Sequence, residues 1–175
     1  MSRWRRLRRR GLLGTVFSPV RYLWFRALRS GSGTASLAGG FAVGVFWGCT
    51  PVFILHWPPA LWMAGRMGFN KLAATAGVFL SNPLTIPVHY SAAWWIGHWL
   101  VPRSEDASPG FDGADSVLKA MLKMGWEDLA LMQLGGLVMG LVLCVPSYLI
   151  AYHLADGVIR VRQARAGQPT NSERN

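Results

Sequence analysis

Two polar stretches interrupt the apolar runs of this chain, Thr50-Pro51 and Ser81-Asn82-Pro83-Leu84-Thr85, and they hold the residue types best suited to chemistry. A proline inside a helix removes one backbone hydrogen bond and collides with the preceding turn, so each stretch predicts a helix break. Broken helices expose N–H and C=O groups, and half-helix N-termini aimed at one point attract anions. Ser81, Asn82, Pro83 and Thr85 at one break, and Thr50, Pro51 and His56 at the other, are therefore the candidate ligand-binding residues. His89 is a further polar partner, and Arg66 is placed near the cytoplasmic mouth. A purely structural role competes with each assignment: Asn82 can cap a helix, and Arg66 can snorkel to an interface.

Other chemistries find little support in the residue pattern. His56, His89 and His98 have no carboxylate near them in the apolar part and no ligand spacing, so no metal is expected. Cys49 and Cys144 both sit in apolar segments and read as packing residues. Neither a Ser-His-Asp order nor a glycine-rich nucleotide loop occurs, and the chain reads as non-enzymatic and free of cofactors.

The elements that would position these residues are helices in a membrane. About half of the 175 residues are apolar, nine are Trp, and the net charge of +10 is concentrated at the start, where no Asp or Glu precedes Glu105. A basic arm leading into long apolar runs reports cytoplasmic orientation and contact with anionic headgroups, rather than nucleic acid. The expected fold class is an all-α integral membrane protein, with broken or re-entrant helices and an N-terminal amphipathic interfacial helix. Residues 1–34 hold the arm and that helix, whose Val20, Leu23, Trp24, Ala27 and Leu28 form an apolar stripe. Arg21, Arg26 and Arg29 lie off the stripe as lipid-surface residues, and Ser30 to Thr34 is a hinge.

The membrane domain is expected over residues 35–156. Broken helices 35–68 and 72–101 are followed by a polar loop over 102–127, with a short amphipathic helix from Asp115 or Ser116, and by the clearest span over 129–155. Pro146 predicts a kink in that span. Gly40, Gly44 and Gly48 recur every four residues, and Gly136 and Gly140 form a GxxxG, so both sets predict close helix approach. Residues 157–175 read as a basic, then disordered, cytoplasmic tail. Basic flanks at both ends call for an even number of crossings, with the acidic loop outside.

The segments GCTPVFILHW (Gly48 to Trp57), RMGFN (Arg66 to Asn70) and SNPLTIP (Ser81 to Pro87) together resemble a bacterial membrane family catalogued as domain of unknown function number 2062. The resemblance covers about Leu23 to Ala155, and Asn82-Pro83-Leu84-Thr85 is its most specific part. It implies a small inner-membrane domain, joined in some relatives to a glycosyltransferase-like domain, with no settled activity. Two functions follow as expectations: binding or moving an anionic lipid or small solute at the paired breaks, or anchoring a partner. That partner is a membrane enzyme such as a glycosyltransferase, or a second copy of the chain.

Overall fold

The computed structural model describes residues 18–51, 56–82, 84–101 and 125–166. Among these the chain is all-helical, with six helices: α1 (Ser18–Leu28), α2 (Thr34–Gly48), α3 (Trp57–Arg66), α4 (Lys71–Val78), α5 (Ile86–Leu100) and α6 (Trp126–Ala166). The expected arm, the polar loop's amphipathic helix and the end of the tail lie outside the described residues.

Local sequence sets most of the helix boundaries. Pro58-Pro59 start α3 and Pro87 sits in the first turn of α5, where the missing N–H is no loss. Asn70 starts α4 by accepting a bond from the Ala73 N–H at 2.9 Å. Gly68 takes a positive φ of 71° in the turn between α3 and α4, a conformation glycine adopts without strain.

Helices α2 and α3 form a hairpin, because the end of α3 returns to the start of α2. The Asn70 N–H donates to the Ser36 carbonyl at 3.1 Å, and the Ser36 hydroxyl to the Gly68 carbonyl at 3.3 Å. From that level α4 runs beside α2 in the same direction, with Gly40 against Asn70, Gly44 against Ala74 and Gly48 against Val78. A side chain at Gly44 would collide with the Ala74 carbonyl, so the glycine row is what lets the two backbones meet. Helix α5 continues beyond the second break. Helix α6 returns antiparallel to it, Gly97 lying against Leu131 and Gly135 against Ala93.

The first half of α6 therefore packs on α5, where Ile86, Tyr90, Ala93, Trp94 and Met132 form one buried cluster. Its later turns pack on α1, α2 and α4 around Ala27, Leu28, Leu37, Ala73 and Ala155. Alanines make up most of the second cluster, and at the first the backbones meet at Gly97 and Gly135 beside large side chains, so both contacts are close and rest on van der Waals packing.

Three details differ from the sequence reading. The hinge from Ser30 is tied down: the Asn70 amide donates to Ser30 Oγ at 2.7 Å and to Ser32 Oγ at 2.8 Å. The apolar stripe of α1 faces the bundle, with Ala27 and Leu28 buried, while Arg21, Arg26 and Arg29 stay exposed. Position 157 is no boundary, since α6 runs on to Ala166. Val158 and Ile159 pack against α1, Arg160 pairs with Asp156 at 2.7 Å, and Arg162 caps the Leu28 carbonyl at 2.8 Å, which keeps those turns helical.

One described helix, Trp126–Ala164, is long and apolar enough to cross a membrane, and only 28% of its most apolar stretch is buried. Helix α6 is continuous through Pro146. Leu141, Val142, Val145, Ile150 and Leu154 are all more than half exposed along it.

Candidate functional site

The two breaks and α6 converge at one level. Gly48, the last residue of α2, lies 3.6 Å from Ser81 Cβ by the position its own Cβ would take. Gly136 of α6 faces the first break, where an added Cβ would stand 2.8 Å from the Cys49 carbonyl oxygen and 2.9 Å from Pro51 Cδ. Gly140 meets Phe46 one turn further on. Five glycines named from sequence spacing thus lie at two interfaces; Gly77, which that spacing did not reveal, closes the one between α2 and α4, and Gly97 and Gly135 make a third between α5 and α6.

At the second break the polar atoms bond to each other. Asn82 Oδ1 accepts from the backbone N–H of Leu84 at 3.0 Å and of Thr85 at 3.2 Å. In return the Asn82 N–H donates to Thr85 Oγ1 at 2.9 Å, and that hydroxyl donates to the Leu80 carbonyl at 2.9 Å. These reciprocal bonds have the pattern of a capping box and close the turn that leads into α5, whose N-cap residue is Thr85. The Asn82 carbonyl accepts from Ile86 at 2.8 Å and its amide donates to Leu80 at 3.3 Å. Asn82 is 6% exposed and its hydrogen-bonding groups face the chain itself.

At the first break the described residues bond in a simpler way. Thr50, 1% exposed, turns its hydroxyl back to the Trp47 carbonyl at 2.7 Å and so satisfies the end of α2. His56, also buried, is the N-cap of α3. Arg66 is not part of this site: it stands in the last turn of α3, about 15 Å along the helix from His56. Its guanidinium lies over the Trp62 ring, 5.9 Å from the centroid. His89 is half-buried in the first turns of α5, and its Nδ1 is buried with no hydrogen-bond partner. Gln133, one helical turn before Gly136, has a buried Oε1 in the same condition. Its type and place in an apolar span were signal enough to flag it from sequence.

Among the described residues no group of three or more His, Cys, Asp and Glu side chains could hold a metal. Cys49 and Cys144 are free thiols. Among the described residues, apolar cavities lie on two side walls. One, of about 410 Å³, is lined by residues of α2, α3, the turn after α3 and α6, including Gly39, Met63, Met67, Phe69, Tyr148 and Leu149. The other, of about 330 Å³, lies between α1, α2 and α6. No residue of either break lines them.

Over residues 17–164 the chain matches the model of one bacterial family, described as an uncharacterized protein conserved in bacteria (DUF2062). The chain belongs to the DUF2062 family. No curated protein and no solved structure matches it. Within this DUF2062 chain the family match includes both breaks and all but the last two residues of α6.

Proposed function

We propose that this DUF2062 domain is a multi-pass inner-membrane scaffold, both ends cytoplasmic, that holds a partner membrane protein against its side wall. The observation that carries this is the closure of the breaks: the Asn82–Thr85 box and the Thr50–Trp47 bond use the polar groups that a transported anion would need. Gly136 against Cys49 and Pro51 leaves little room at the first break. By contrast, the 410 Å³ groove is open, apolar and rich in Met and aromatic residues, a surface that adapts to a partner helix.

Membrane residence is supported by the uncovered apolar length of α6 and by the exposed Trp95, Trp99 and Trp126, which suit an interfacial belt. Helices α2 and α5, about 22 Å each, are shorter than a bilayer core, so α2–α3 reads as a re-entrant hairpin and α4–α5 as a broken span. The partner is an envelope-biosynthesis enzyme of the glycosyltransferase type, or another copy of the chain.

A second reading, binding or moving an anionic lipid or small solute at the breaks, is favoured by the unpartnered buried atoms of Gln133 and His89. A photo-crosslinking residue placed at Tyr148, in the groove, and at Ser81, in a break, separates the two readings in native membranes. The scaffold reading expects a discrete protein adduct from position 148 and none from 81. Lipid adducts at 81 with no protein adduct at 148 would reverse the order.

A further inference from the structure

The N-terminal helix has an apolar slot beneath it that its own stripe does not fill. Ala27 and Leu28 are buried against α2, α4 and α6, but the earlier turn, with Val20 and Trp24, stands off from α6. Phe41 of α2 and Ile150 and Leu154 of α6 complete the walls of a cavity of about 330 Å³, which lies in the size range of ligand pockets. Trp24 meets Phe41 edge to face at 5.3 Å, which fixes one wall. Ile150 and Leu154 are 60% and 57% exposed, so the slot opens sideways to whatever surrounds α6.

Arg21 is the one charged residue lining this slot, and helix α1 has no acidic residue in its first turn. Neither Arg21, Arg26 nor Arg29 has an ion pair with a carboxylate among the described residues. An apolar slot with an exposed Arg in its lining is complementary to an amphiphile with one anionic end.

We infer that this slot binds a bilayer phospholipid with an anionic headgroup: one acyl chain lies between α1, α2 and α6, and the headgroup phosphate pairs with Arg21. The side opening suits a two-chain lipid, because the second chain stays in the bilayer along Ile150 and Leu154. The inference rests on the membrane part of the proposed function and is independent of the scaffold part. It places lipid recognition on α1 rather than at the helix breaks.

The test uses the full chain in nanodiscs containing equal phosphatidylglycerol and phosphatidylcholine, with retained lipid counted by native mass spectrometry after release. The expected result is one phosphatidylglycerol retained in preference to phosphatidylcholine. Arg21→Glu should reduce that preference roughly tenfold, while Arg29→Glu, the same charge change outside the slot, leaves most of it. Leu154→Trp, at an exposed position and so compatible with folding, should fill the slot and lower retention of both lipids. Equal loss in Arg21→Glu and Arg29→Glu would reduce the effect to general surface charge and overturn the site. Insertion without lipid preference sinks this proposal alone, whereas failure to enter the discs sinks the membrane reading with it.

Discussion

Gly135→Ala should lower stability by about 3 kcal/mol or more, although it adds a single methyl group. The new Cβ would collide with the Ala93 carbonyl oxygen and stand 2.6 Å from the Gly97 N–H nitrogen, and backbone atoms cannot rotate away as a flexible side chain can. Gly97 is in the reciprocal position, its Cβ colliding with the Leu131 carbonyl, so Gly97→Ala should fail in the same way. Relief requires α5 and α6 to separate, which opens the cluster around Tyr90 and Met132. Gly157→Ala is the control, because nothing lies within 4 Å of that site. Within a helix it should be neutral or stabilising by roughly 0.5–1 kcal/mol. Thermal unfolding of the purified variants, followed by helical signal and monodispersity, reads the difference. Equal behaviour of Gly135→Ala and Gly157→Ala would mean that α5 and α6 are not packed in this register.

Asn82→Leu should be the second severe variant, at about 3 kcal/mol. It removes the acceptor of the Leu84 N–H and the amide donor to the Leu80 carbonyl, while the Thr85 N–H keeps the Asn82 backbone carbonyl at 2.9 Å, and a part-buried polar group left without a partner costs about 1–3 kcal/mol. Asn82→Asp keeps that acceptor and loses only the amide bond to Leu80, with a second oxygen now beside that carbonyl. The expected order of stability is therefore wild type, then Asp, then Leu. Thr85→Val should resemble Asn82→Leu, and the two together should cost less than their sum, because both dismantle one box. If Asn82 instead receives an anionic headgroup, Asn82→Asp would fold as the wild type does but lose co-purifying anionic lipid. Asp less stable than Leu would refute the capping assignment.

The breaks were legible in sequence because proline acts locally, and so was the glycine row of α2, whose four-residue spacing repeats one helical face. The ends of α3 are equally plain in the sequence, where Pro58-Pro59 start an apolar helix and Arg66 to Lys71 form a polar, basic turn. What the sequence did not reveal depends on partners far along the chain. Gly97 and Gly135 carry no periodic signature, and only the antiparallel meeting of α5 and α6 gives them a role. The extension of α6 past position 157 follows from Arg162 reaching the Leu28 carbonyl, 134 residues away. Asn82 is the instructive case. Its spacing to Thr85 is that of a capping box, but Thr stands in place of the usual Glu or Gln and a proline follows it, so the sequence leaves a cap and a polar site at the break both open. Arg66, expected near the cytoplasmic mouth rather than at a break, stands at the end of α3 opposite to His56.

The central claim, a membrane domain whose paired breaks are closed, has a native reporter in Cys49, which is 2% exposed between Gly48 and Thr50. With Cys144 replaced by Ser, intact spheroplasts are treated with a small membrane-impermeant thiol reagent, and Ser108→Cys in the acidic loop serves as the outward-facing control. The account predicts labelling at position 108 and none at Cys49 until the protein is solubilised and denatured. Labelling of Cys49 in the native protein would show water reaching the break and contradict the account.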